Sequence, residues 1–112
     1  MAEDKKSDQQ MFAQFQAYQQ QLQSVLMQKE NLRLQILEIG KALEELEASK
    51  SADAYKIVGP IMVKKTSDEI KTELKERKES FELRIKSLES TENKIMDKLK
   101  SMEEDLKKML KK

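Results

Sequence analysis

The sequence predicts a mainly α fold: a long antiparallel two-helix coiled coil joined by one β-hairpin. Two observations carry the helices and one carries the bend. Apolar residues recur on two interleaved seven-residue ladders both before and after residues 55–66, which is the a/d seam of a coiled coil. The only Pro, one of the two Gly and a cluster of β-branched residues fall inside Tyr55–Thr66. A two-stranded hairpin is marginal in water by itself, so this bend calls for strands from other chains.

The first helix is expected over residues 9–48. One ladder holds Phe15, Leu22, Ile36 and Leu43, with Lys29 on the remaining rung; the other holds Met11, Tyr18, Val25, Leu32, Ile39 and Leu46. Such a helix runs roughly 55–60 Å at 1.5 Å per residue. Lys29 can snorkel from the seam, or it can fix register as polar seam residues do. Gly40 weakens the helix by about 1 kcal/mol relative to Ala; a gentle bend and the close approach of a neighbouring backbone are both open readings. Between Gln9 and Gln28 there is no charged residue, and Phe12, Phe15 and Tyr18 supply three of the five aromatics. This is either a Gln-rich amphipathic helix with a filled seam or a neutral, adaptable surface for apolar partners, and Phe12 stands off both ladders.

The bend follows a short polar connector, Ala48–Ala54. Tyr55–Val58 and Ile61–Thr66 are strand-like runs around Gly59-Pro60. Gly at the first central position fits a type II′ turn, and proline's fixed φ suits the second; a longer loop is the alternative. With a two-residue turn, Val58 faces Ile61 and Ile57 faces Met62, so both faces carry apolar side chains. A hairpin solvated on one side should alternate apolar and polar residues. This one does not, which points to cover on both faces and to edges that pair with other strands. The predicted assembly residues are Tyr55, Ile57, Val58, Gly59, Pro60, Ile61, Met62 and Val63.

Thr66 with Glu69 three residues on forms a capping box that restarts the helix, expected over residues 67–110. Leu74, Phe81, Leu88, Ile95, Met102 and Met109 make one ladder; Ile85, Leu99 and Leu106 make its companion, interrupted by Lys71, Lys78 and Glu92. Folding back sets side by side residues whose numbers total about 116. That register gathers Met11, Phe12, Phe15 and Tyr18 with Leu99, Met102, Leu106, Met109 and Leu110 at the free end. Met is soft and adaptable and suits promiscuous surfaces, so these residues are candidates for binding unfolded chains; a frayed end with ordinary seam residues is the plainer reading. Glu103, Glu104, Asp105, Lys107 and Lys108, with Lys111 and Lys112, form a charged collar that can dock a partner.

The whole chain, 112 residues with 38% charged and a formal net charge of +1, fits one domain. Interspersed Lys and Glu leave no concentrated basic face for nucleic acid. Without cysteine or histidine there are no disulfides, no thiolate sites and none of the commonest general base. No Gly-rich phosphate loop or nucleophile–base pair appears, so neither catalysis nor a cofactor or metal is expected. Residues 1–8 are expected as a flexible charged tail ahead of the domain at 9–112, with no signal peptide and no membrane span. A cytoplasmic protein is expected.

The run Tyr55-Lys56-Ile57-Val58-Gly59-Pro60-Ile61-Met62-Val63-Lys64, a single hairpin between two helices, resembles the bend of beta-class prefoldin subunits. Tyr18-Gln19-Gln20-Gln21-Leu22-Gln23 is similar to that class's first helix, and the likeness covers nearly the whole chain. The resemblance implies a hexamer of two alpha-class and four beta-class subunits, with hairpins joined into intersubunit β-barrels. It also implies ATP-independent capture of unfolded proteins at the coiled-coil tips and delivery to a group II chaperonin. The competing class is a structural coiled-coil tether with one fixed partner.

Overall fold

The seven-residue ladders become, in the computed structural model, helix α1 (Ala2–Ser49) and helix α2 (Ser67–Leu110), with strands β1 (Asp53–Val58) and β2 (Ile61–Thr66) between them. The structure describes residues 2–110. Helix α1 begins at Ala2, ahead of the start expected at residue 9. Ala, Glu and Lys in this stretch are strong helix formers, and adding turns to an existing helix avoids the cost of nucleation. Met1 lies outside the described residues.

The chain divides into two units, one of residues up to Glu30 with those from Lys86 on, the other Asn31–Ile85. In the first unit the two helices run antiparallel, with Lys98 against Tyr18 and Lys29 against Glu89 and Glu92. Lys98 and Tyr18, whose numbers total 116, fall on the register expected from the sequence; Lys98 Nζ donates to the Tyr18 hydroxyl at 3.2 Å and lies 5.4 Å from the ring centre. Val25, Ile95 and Leu106 are buried, flanked by half-buried Leu22, Leu88 and Leu99. Lys29 is buried on the seam at 7% exposure, and its ammonium donates to Glu92 Oε2 at 2.9 Å with Glu89 Oε1 at 3.8 Å. Two apparent faults of the ladders are therefore one ion pair. Of the two readings for Lys29 this geometry matches the register role, because the charge is satisfied across the seam instead of reaching solvent.

In the second unit Leu32 and Ile39 are buried, and Ile36, Leu43, Leu46, Ile70, Leu74, Phe81 and Ile85 are half-buried. Lys71, one of the polar interruptions, reaches Glu47 at 3.2 Å. A Cβ built on Gly40 meets nothing within 4 Å. No neighbouring backbone approaches closely there, so that reading of Gly40 is set aside. Among the described residues no large side chain is completely buried, as expected where a single helix covers each stripe.

Local chemistry sets the element ends. Lys50 closes α1 in the left-handed region at φ 52°. Thr66 Oγ1 accepts the Glu69 N–H at 3.2 Å, the forward half of the predicted capping box. Asp68 and Glu69 in the first turn of α2, and Lys107 and Lys108 in its last, complement the helix dipole. The Ser67 N–H donates to the Ala52 carbonyl at 2.8 Å, tying the start of α2 to the entry of β1.

Candidate assembly and client-binding surfaces

The hairpin is built from β-branched residues around a turn that only one residue type enters cheaply. Gly59 has φ +56°, as the first central position of a type II′ turn requires, and Pro60 follows. The strands pair antiparallel with Val58 opposite Ile61, Ile57 opposite Met62, Lys56 opposite Val63, Tyr55 opposite Lys64 and Ala54 opposite Lys65. This is the register read from a two-residue turn.

Opposed residues share a face of the pleat. One face carries Tyr55, Ile57, Met62 and Lys64; the other carries Ala54, Lys56, Val58, Ile61, Val63 and Lys65. Exposure of the apolar members is high throughout: Tyr55 61%, Ile57 72%, Val58 53%, Ile61 60%, Met62 64% and Val63 39%. Six large apolar side chains thus stand open on twelve strand residues, and the sheet has only two strands, so each retains an unpaired edge. All eight residues expected to serve assembly lie in this one element.

Polar ties hold the base of the hairpin. Lys56 Nζ donates to Glu73 Oε2 at 3.1 Å and Lys65 Nζ to Glu73 Oε1 at 2.6 Å, while Lys64 reaches Asp53 at 3.4 Å. The hydrogen bond from Lys65, with that from Lys56, holds the Glu73 carboxyl below the usual carboxylate range; the same bond to Glu73 raises the Lys65 ammonium. Nothing in the residue pattern of α2 singles Glu73 out from its other carboxylates. Its role depends on how the hairpin leans on the helix.

The residues expected to bind unfolded chains lie in the other unit and divide by burial. Phe12 and Leu110 are exposed at 46% and 77%. Met11, Phe15, Tyr18, Leu99, Met102 and Met109 are half-buried on the seam, and Leu106 is buried at 7%. Leu106 is therefore core, and the open apolar surface of this set comes chiefly from Phe12 and Leu110. Ladder reasoning passed over Leu26, Met27 and Met96, which are exposed at 44%, 70% and 51% in the same unit. Their signal was available: each is a large apolar residue off the seam of a helix with a seam already complete. Glu103, Glu104, Asp105, Lys107 and Lys108 are all exposed, with Lys107 3.6 Å from Glu103; Lys111 and Lys112 lie outside the described residues. Among the described residues no helix is long and apolar enough to cross a membrane.

Two heptad-patterned helices around one solvent-open apolar hairpin define a subunit of a coiled-coil assembly. Residues 9–112 match the family model described as prefoldin subunit. The prefoldin subunit beta of Thermococcus kodakarensis is 44% identical over 93 residues, 82% of this chain and 80% of the relative. That of Pyrobaculum arsenaticum is 38% identical over 111 residues, 98% of this chain and 90% of the relative. The crystal structure of the prefoldin beta subunit from Thermococcus strain KS-1 superposes with a TM-score of 0.81 at 40% identity, covering 95% of this chain and 94% of that one. The chain belongs to the prefoldin subunit family, a family of molecular chaperones and not of enzymes.

Proposed function

We propose that this chain is an ATP-independent holdase subunit whose hairpin completes intersubunit β-barrels in a hexamer of two alpha-class and four beta-class subunits. The chain-end unit captures non-native proteins through apolar side chains, and the complex delivers them to a group II chaperonin in the cytoplasm. The observation that carries the reading is the hairpin: six apolar side chains 39–72% exposed on both faces of a two-stranded sheet. Such a sheet is marginal by itself in water; it is consistent with strands awaiting neighbours.

For capture, Phe12 and Leu110 supply exposed apolar area without belonging to the seam core. Several such weak contacts, one set per subunit, gain affinity through multivalency. The acidic and basic residues Glu103, Glu104, Asp105, Lys107 and Lys108 supply charge for docking on the chaperonin.

The test is suppression of aggregation of an unrelated unfolded protein by the assembled complex. Phe12→Ser with Leu110→Ser is expected to reduce protection while leaving assembly and melting temperature unchanged. Full protection by that double variant, and by a complex trimmed of both helix ends, would overturn capture at this unit and leave the fixed-partner tether as the better reading.

A further inference from the structure

We propose that Glu73 is the positioning residue of the hairpin, holding both strands at one seat on α2 and thereby fixing the face they turn toward neighbouring subunits. The inference rests on the assembly reading above. Its geometric basis is that one carboxylate takes a lysine from each strand, through different oxygens: Lys56 of β1 at 3.1 Å on Oε2 and Lys65 of β2 at 2.6 Å on Oε1. Among the described residues, both strand-to-α2 salt bridges end on this one side chain.

Burial points the same way. The half-buried residues of the two strands are Ala54, Lys56 and Lys65, and all three lie on one face. That face meets α2 through Lys56 and Lys65, while Tyr55, Ile57 and Met62 on the opposite face are 61–72% exposed. A single exposed ion pair does little, because solvent screens it and two long side chains must be ordered. Here one short, helix-borne carboxylate orders two lysines on adjoining strands, so pivoting of the sheet in either direction breaks a bond. The clamp therefore selects an orientation more than it adds stability, and orientation is what a closed assembly needs from each member.

The experiment uses the full chain. It lacks cysteine, so Lys64→Cys with Ser80→Cys carries spin labels at those two places only. The distance distribution between hairpin and α2 is expected to be narrow in the parent and broad in Glu73→Gln, with helix content unchanged by circular dichroism. Without labels, Glu73→Gln should assemble several-fold more weakly with an alpha-class partner. The charge-inverted variant K56E/K65E/E73K should restore both the narrow distribution and the assembly. An unchanged distribution in Glu73→Gln, or no rescue by the inverted variant, overturns the positioning role. Assembly lost on Ile61→Lys but untouched by Glu73→Gln also overturns it and leaves hairpin-driven assembly standing; assembly untouched by both variants sinks the assembly reading itself.

Discussion

Replacing Ile61 by Lys separates a hairpin that assembles from one that is merely exposed. Complete burial of an Ile side chain contributes about 1.5–3 kcal/mol. Ile61 keeps 60% of its surface open in the single chain, so an interface that covers it recovers roughly that share, about 1–2 kcal/mol. Lysine forfeits this and sets an ammonium where an apolar contact belongs, a penalty of several kcal/mol if the charge is held from water. The combined loss of about 3–5 kcal/mol weakens association by roughly two to four orders of magnitude. Native mass spectrometry or sedimentation velocity with an alpha-class partner reads the outcome directly. Leu83→Lys is the matched control, since Leu83 is 66% exposed on α2 away from the hairpin; it adds the same charge and should leave the complex intact. An Ile61→Lys chain that forms the parental complex at the parental concentration would refute the reasoning, whatever its helix content.

The ion pair across the seam predicts unequal single and double variants. Glu92→Leu leaves Lys29 buried without its 2.9 Å partner and should destabilise the helix pair by about 3 kcal/mol. Lys29→Leu with Glu92→Leu should be neutral or stabilising in thermal unfolding, while disulfide-trapping between the helices detects shifted registers that the parent does not populate. The two glycines should respond with opposite sign. Gly40→Ala meets open space and should stabilise α1 by about 1 kcal/mol; Gly59→Ala must hold φ near +56° and should cost about 1–2 kcal/mol, both read by chemical denaturation. The Glu73 clamp has a defined pH window. Glu73 is lowered from its ordinary 4.5, so its contribution is present above that value and fades as pH falls through the lower folded value. Lys65 is raised from 10.5, so its contribution is present below that value and fades as pH rises through the higher one. Lys56, Glu69 and Lys65 all face this exchange. The spin-label distribution should stay narrow from about pH 5 to 10 and broaden in acid; a width that stays the same even when the carboxylates are fully protonated contradicts the linkage.

Much of this architecture was written in local pattern. The seam positions of both helices follow from seven-residue spacing, because a helix that packs on one neighbour buries one stripe and no more. The strand register follows from Gly59-Pro60, since turn length fixes which residues oppose each other. What the pattern hid depends on contacts between distant segments. Lys29 and Glu92 read as separate interruptions because they lie 63 residues apart, and only the antiparallel register brings them together. Glu73 looks like any surface carboxylate until the hairpin's lean brings Lys56 and Lys65 over it. The division of the chain-end residues was equally hidden: spacing placed Leu106 and Leu110 in one cluster, but a shift of four residues along α2 separates a side chain 7% exposed from one 77% exposed. The helical start at Ala2 carries no seam signal, because residues 2–8 hold no large apolar side chain; Ala, Glu and Lys there extend a helix already formed.

The two open apolar surfaces differ in the state of their backbone, and this decides what each can select. On the hairpin, side chains stand beside strand edges whose outward N–H and C=O groups seek partners. A ligand there must be another strand, in register, so the surface favours a few definite neighbours. On the chain-end unit, Phe12, Leu26, Met96 and Leu110 project from helices whose backbone groups are already bonded along the helix. A segment binding there would meet side chains alone, with no strand register to satisfy. On the proposed reading, specific assembly at the hairpin and permissive capture along the helices follow from one chemical difference. Moving an equivalent apolar set from helix to strand should convert permissive binding into pairing or aggregation.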